Sequence, residues 1–357
     1  MRRLPSIREV VLAGTEFTPK TRLGVVLFQL GGPDSLDAVE PFLYNLFCDP
    51  DIIDFPLAKL AREPLARLIS SRRAGKVRRH YADIGGKSPI REITARQASA
   101  LEAQLSKSFP TRVVVAMRYW HPLTDEAIRE LAAFRPDEIV LLPLYPQYSS
   151  TTTGSSLHEW DRHYTGLPAA KVHTIRDFHL DEVYLDALVE RIAQGMERFR
   201  RSNGHAAGLP SDVHLLFSAH SIPASVIHRG DPYQVQIEAT VKAVMQRGGW
   251  PNPHALCYQS KSGPGRWLHP FLPEALQAIA TSGAERVLVI PIAFVSDHVE
   301  TLHEINIEAR ETAERMGIRQ FETMEGLNDS PRFIAALAEL VLSQLLTKPG
   351  SVESLAF

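Results

Sequence analysis

A chain of 357 residues holds about two domains at the usual ~150 residues each. Hydrophobic residues at 44% and charged residues at 22% are the balance of a globular chain, which excludes disordered, collagen-like and solenoid classes. Lys plus Arg number 39 against 41 Asp plus Glu, a net charge of −2, so no overall field draws the chain to nucleic acid and no nucleic-acid partner is expected. With Cys48 and Cys257 as the only cysteines, neither a disulfide framework nor a four-cysteine zinc or iron–sulfur site is expected.

In chain order, the opening MRRLPSIREVVLAG carries Arg2 and Arg3 but too few apolar residues for a signal peptide, so a cytoplasmic protein is expected. Residues 24–30 read as a buried strand. LGGPD follows, with Gly31 and Gly32 in a tight turn and Asp34 or Ser35 capping the next helix; neither it nor IGGKSP (84–89) matches G-x-G-x-x-G. Residues 41–61 are unusually apolar through Phe42, Leu43, Leu46, Phe47, Ile52, Ile53, Phe55 and Leu57, and Arg72, Arg73, Lys76, Arg78 and Arg79 come soon after. A buried helix followed by a solvated basic one explains this pattern. An apolar lip over residues 42–57, facing a flat hydrophobic ligand or touching a membrane surface from the cytoplasm, explains it too.

Residues 112–117 and 138–144 read as further strands, the second followed by the hydroxyl-rich Tyr145, Tyr148, Ser149 and Thr151 to Thr153, a polar loop or a pocket wall. The Gly-rich polar stretch 202–211 reads as a linker, and strands at 213–218, 255–259 and 286–292 follow it. The longest apolar run, 287–295, is interrupted by Pro291 and falls short of the ~20 residues of a membrane span. A last helix is expected over 332–346 and a frayed tail after Lys348. Short apolar runs alternating with helical periods predict an α/β fold of parallel sheets flanked by helices.

The two halves echo each other: PDEIVLLPLYPQYSS (136–150) aligns with AERVLVIPIAFVSDH (284–298), and RYWHP (118–122) answers SKSGPGRWLHP (260–270). We infer an internal duplication, giving two similar lobes whose strand C-termini face a shared cleft. His220, after the strand LLFSA, sits at such an end; a histidine bonded to a turn carbonyl is the simpler explanation of the residue taken alone. Ser296, Asp297, His298, Val299 and Glu300 sit at another, entering a helix through Leu302 and Ile305. Asp297 or Ser296 can cap that helix with Glu300 in its first turn, but capping needs neither His298 nor His303, which points to a proton or metal site. One imidazole and one carboxylate, from different lobes, are expected to meet across the cleft and hold a divalent ion such as Fe²⁺ loosely.

The elements QLGGPDSLDAVEPFL, YADIGGKSPI, MRYWHPLTDEAI, LPLYPQYSSTTTGS, FSAHSIP, YQSKSGPGRWLHP and FVSDHVETLHEI resemble, in order, those of the ferrochelatases, which insert Fe²⁺ into a porphyrin at the end of haem synthesis. The resemblance implies two Rossmann-like lobes of the type II chelatase kind with a porphyrin cleft between them, over residues 22–178 and 179–346, the last helix packing back on the first lobe and 347–357 forming a tail. It implies that His220 and Glu300 bind the metal and act on the macrocycle, with Asp297 and His298 extending the network behind Glu300. It further implies a pocket lined by Leu30, Tyr81, Ser88, Arg118, Tyr119, Lys261, Trp267 and Phe294. His suits the task of accepting the two leaving pyrrole protons near neutral pH, and apolar walls suit bending the ring to expose its nitrogens. Fe²⁺ is then a substrate. No resident cofactor and no cysteine-bound iron–sulfur cluster are expected, since no Cys follows Cys257. The QLGGPD start and apolar segment 42–47 favour protoporphyrin IX over coproporphyrin III. Rivals are another tetrapyrrole chelatase taking cobalt or nickel, and a non-catalytic porphyrin or haem carrier. A hydrolase lacks a nucleophile elbow beside Ser218 and Ser221.

Overall fold

The computed structural model describes residue 18 and residues 20–52, 58–166, 170–203, 210–263 and 265–346. The expectations for the N-terminal stretch before Thr18, for Ile53, Phe55 and Leu57, for most of the linker and for the tail lie outside these residues.

The strands β1 (Leu23–Gln29), β2 (Thr111–Met117), β3 (Glu138–Pro143) and β4 (Lys171–Thr174) form a parallel sheet in the order β2-β1-β3-β4. The strands β5 (His214–His220), β6 (His254–Gln259), β7 (Arg286–Pro291) and β8 (Gln320–Thr323) form a second one in the order β6-β5-β7-β8. The expected α/β class and duplication are thus present as two sheets of one topology. Their details correspond as well. Leu144 N donates to Phe28 O at 2.9 Å as Ile292 N does to Ser218 O at 2.9 Å, and Met117 N to Pro122 O at 2.7 Å as Tyr258 N does to Pro270 O at 2.9 Å. The edge strands β4 and β8, four residues each, were not foreseen.

Every residue of β1 is buried, as a central parallel strand covered on both faces must be. The period of two divides its side chains. Leu23, Val25 and Leu27 join Leu215, Phe217, Leu288 and Ile290 of the second sheet in one core, whereas Val26 and Phe28 pack outward around Trp160. Four helices fill the space between the sheets: α3 (Ile90–Leu105), α6 (Glu182–Asn203), α8 (Tyr233–Gly248) and α11 (Pro331–Leu346). Each fully buried Leu or Phe here contributes roughly 1.5–3 kcal/mol. The last helix lies on α6, α3, β3 and β4, so it touches elements of both halves.

After β1 the turn follows from its glycines. Gly31 takes φ +85°, and a side chain on Gly32 would collide with Ser88. Ser35 Oγ then accepts from Ala38 N at 3.2 Å, just ahead of α1 (Val39–Cys48). Next comes α2 (Ala58–Asp83). The apolar segment corrects the lip expectation where it is described: Phe42 and Leu43, each 6% exposed, are core residues packed with Val39, Tyr81 and Tyr119, and Leu46 and Phe47 flank them. Of the described residues in the segment, Ile52 alone counts among the exposed large hydrophobics. No helix among the described residues is long and apolar enough to cross a membrane.

Candidate active site

Because β5 lies between β6 and β7, the chain segments leaving all three emerge side by side. His220 ends β5, Gln259 ends β6 with Ser260 next, and the loop after β7 leads into a π-helical stretch, Glu300–Ala309, that continues as α10 (Arg310–Arg315). Both members of the expected pair therefore come from the second lobe. This corrects the expectation that they meet across the cleft: adjacent strands of one sheet bring their ends closer than two separate sheets would.

His220 Nδ1 lies 2.9 Å from Glu300 Oε2. The same carboxylate accepts from Ser260 Oγ at 2.9 Å and Gln259 Nε2 at 3.4 Å. The wide turn of the π-helix, about 4.4 residues, returns Glu304 to the side of Glu300. Glu304 accepts from Ser260 N at 2.7 Å, and its carboxyl also lies within hydrogen-bond reach of Ser260 Oγ, so one hydroxyl stands between the two acids and donates its single proton to one of them at a time. Ser260 adopts φ +63°, a left-handed conformation uncommon outside glycine and found at functional sites. Tyr233 Oη fixes the end of β5 by donating to His220 O at 3.0 Å.

Electrostatics sets these groups apart. Burial works against charge on His220, but the charge and hydrogen bond of Glu300 outweigh it and raise the imidazole above its ordinary range. Burial likewise opposes charge on Glu300, and the imidazoles of His220 and His298 with Ser260 overcome it, holding the carboxyl down at about 2. Glu304 moves up, through burial first and the negative charge of Glu300 second. Neighbouring groups pushed apart in this way are suited to passing protons.

The other expected site residues divide. His298 is buried beside the Phe294 ring, centroids 4.4 Å apart. Its Nδ1 donates to Ser296 O at 3.1 Å, which leaves the buried Nε2 with no hydrogen-bond partner. Phe294 also meets His220 edge to face at 6.3 Å. Asp297 stands apart: its carboxylate accepts from Thr301 Oγ1, Gly326 N and Asn328 Nδ2 at 3.1, 3.2 and 2.7 Å, and so anchors the loop after β8. It does not extend the network behind Glu300, and the helix start at Val299 has no side-chain cap.

From the first lobe, Leu30, Tyr81 and Tyr119 pack in one cluster with Val299, the residue before Glu300. Tyr81 is close enough to Glu300 for that charge to reinforce the rise that burial gives its phenol. Ser88 is buried against the Gly32 turn. Arg118 turns inward: Nη2 is 3.0 Å from Asp49 Oδ1, and Nε donates to Ser155 Oγ at 2.8 Å. Tyr119 Oη donates to the same Asp49 at 2.5 Å. Trp267 pairs with Pro223 through a backbone bridge, and Lys261 lies exposed with Nζ 5.2 Å from the Phe271 ring centre. The hydroxyl-rich loop proves to be an inter-lobe latch, in which Asp231 Oδ2 accepts from Ser149 Oγ, Ser150 N and Ser150 Oγ at 3.1, 2.7 and 2.9 Å.

This pair, His220 at the end of β5 and Glu300 at the start of the π-helical stretch after β7, lies inside a match to the ferrochelatase family model that spans residues 22–345. The chain belongs to the ferrochelatase family. Curated ferrochelatases from Gloeobacter violaceus and Aquifex aeolicus are 44% and 45% identical to it over 328 and 325 residues, 90% of this chain in each case and 98% and 99% of theirs. A ferrochelatase from Synechocystis is 43% identical over 338 residues, 93% of this chain and 85% of its own. Among solved structures, SirB from Bacillus subtilis with Fe³⁺ superposes with a TM-score of 0.53 at 10% identity, covering 91% of this chain and 94% of that one, a likeness of fold.

Three residues of this ferrochelatase-family site were not foreseen: Glu304, Ser260 and Asp49. The first had a signal in the E-x-x-x-E spacing from Glu300, and the second in its place directly after a buried strand. Asp49 had none, because its role depends on Arg118, Tyr119 and Ser155 converging from distant positions.

Proposed function

We propose that His220 and Glu300 carry the insertion of Fe²⁺ into protoporphyrin IX, with release of two protons. A chain of this family is an enzyme that inserts Fe²⁺ into a porphyrin in haem synthesis. The observation that supports the residue assignment is the 2.9 Å contact between His220 and Glu300, continued through Ser260 to Glu304.

Insertion needs a base for the pyrrole protons and ligands that a metal ion can leave. Neutral His220 keeps one nitrogen on Glu300 and offers the other to a pyrrole N–H. Glu300 then stabilises the imidazolium, and Ser260 links it to Glu304, so the proton has an onward route away from the ring. Imidazole and carboxylate hold Fe²⁺ without the tight grip of thiolates, which suits an ion that must be handed over. The unpartnered Nε2 of His298 is a further ring nitrogen near this pair. Phe294, Leu30 and Val299, each partly exposed, provide apolar surface for the rim of the macrocycle, backed by the buried rings of Tyr81 and Tyr119, and that surface favours protoporphyrin over the more carboxylated coproporphyrin. Fe²⁺ and the porphyrin are substrates in this reading. It needs no resident cofactor, and the chemistry takes place in the cytoplasm.

The test is anaerobic. Protein is mixed with Fe²⁺, or Zn²⁺ as surrogate, and with protoporphyrin IX or coproporphyrin III in parallel, and the free-base absorption bands are followed. Catalytic loss of those bands, faster with protoporphyrin, and a drop of about 10²–10⁴-fold in His220→Ala with porphyrin binding retained, is the expected result. A stoichiometric shift without turnover would instead mark a porphyrin carrier, and full activity in His220→Ala would overturn the assignment.

A further inference from the structure

The histidine at 303 is not consumed by the insertion pair. It lies in the π-helical stretch, 5% exposed, and its ring stacks on that of His80 from α2 with centroids 4.1 Å apart and planes at 10°. Its Nε2 is 2.9 Å from Asp83 Oδ2, which holds the proton on that nitrogen and leaves Nδ1 as a lone pair. That buried Nδ1 has no hydrogen-bond partner. Glu308 Oε1 stands 3.8 Å from it and 3.9 Å from His80 Nε2.

We propose that His80, His303 and Glu308 form a second metal site, for a first-row divalent ion such as Zn²⁺, Co²⁺ or Fe²⁺, distinct in all its ligands from His220 and Glu300. Three donor atoms, one from each residue, lie within 4.8 Å of one another. A tetrahedral ion with bonds of ~2.0–2.2 Å holds its ligands about 3.3–3.6 Å apart, so closing on an ion brings the donors in by about 1 Å and tilts the two parallel rings so that their in-plane lone pairs converge. Asp83 behind His303 is the carboxylate–histidine arrangement that fixes the tautomer of a metal-binding imidazole. Burial, followed by the neighbouring His303, lowers the affinity of His80 for a proton and keeps it in the form that binds metal. Two imidazoles select against Mg²⁺ and Ca²⁺, which prefer oxygen. His80 is 23% and Glu308 49% exposed at the side chain, so an ion can enter from solvent and a fourth, exchangeable position stays open.

The test uses Co²⁺ alone, added to the metal-free full chain in a His220→Ala background, with the visible d–d bands read out. One equivalent with tetrahedral-type bands is expected. Adding His80→Gln, a partly exposed position, should weaken binding at least 10-fold, and Asp83→Asn should weaken it about 10–100-fold. His303→Phe, which keeps a stacking ring, should abolish it, with far-UV circular dichroism checking the fold. A Zn²⁺-soaked crystal of the wild type should show anomalous density among the three side chains. No Co²⁺ equivalent in the His220→Ala host, an equivalent that His80→Gln leaves unchanged, or zinc density confined to His220 and Glu300 would overturn the site. Since the host lacks His220, failure here leaves the insertion assignment untouched, and the converse also holds.

Discussion

Replacing Glu300 by Gln keeps its size and an oxygen for Ser260 to bond but removes the negative charge 2.9 Å from His220 Nδ1. Two unit charges at that distance attract by roughly 1.4 kcal/mol at the dielectric constant of water and about 3 kcal/mol at half that value. Because the His220 side chain is 36% exposed, the interior limit does not apply and this range is the relevant one. If imidazolium forms in the rate-limiting step, the variant should lose about 10- to 100-fold in kcat. The pH profile carries the sharper test. In the wild type the His220 pKa is raised, so the neutral base is present above that value and is lost as the pH falls through it. Without the Glu300 charge the value drops, and the acidic limb of the profile should move to lower pH. Zn²⁺ insertion measured from pH 5.5 to 9 at saturating porphyrin reads both effects. An unchanged kcat with an unchanged acidic limb would refute the pairing as the source of catalytic basicity.

Asp49→Asn should cost about 3–5 kcal/mol in urea unfolding, since it strips the charge from a wholly buried carboxylate that faces Arg118; a loss under 1 kcal/mol would show that Glu159, whose Oε2 lies 3.6 Å from Arg118 Nη2, suffices as the partner. Asp231→Ala should cost roughly 3 kcal/mol by the same measurement, because three donors of the 149–150 loop lose one charged acceptor. Leu43→Asp should fail to accumulate as folded protein, whereas Ile52→Asp should leave the melting temperature within about 2 °C of wild type, as a surface change does. Equal behaviour of these two variants would contradict the burial of Leu43.

The central strands were legible because β1, β3, β5 and β7 are runs of Val, Leu and Ile bounded by turn residues, and burial on both faces demands that composition. KVHT of β4 and QFET of β8 carry no such mark, since an edge strand is covered on fewer sides and draws its register from its neighbour. His220 and Glu300 were legible as residues following buried strands, and the expected bounds of 179–346 already put both in the second lobe; that β5 and β7 are neighbours was not legible, because strand order is a property of the folded sheet. ETLHEINIEA reads as an ordinary helix, with Leu302, Ile305 and Ala309 on apolar spacing, and nothing in it announces the wider turn. The latch at Asp231 and the pairing of Arg118 with Asp49 were hidden for another reason: each joins residues more than sixty positions apart whose types are common on any surface.

The chain enters a π-helical turn at the same place in both halves, at Ser150–Gly154 after β3 and at Glu300–Ala309 after β7. In the first half the turn is written in serine and threonine, and its opening residues grip Asp231 of the other lobe. In the second half it is longer and written in glutamate and histidine, and it carries every acid of the two metal sites argued above. The two turns thus do different work, the first as the joint that fixes the frame and the second as the working edge. A substitution that grafts Glu and His into 150–154 would therefore rebuild chemistry at the expense of the joint.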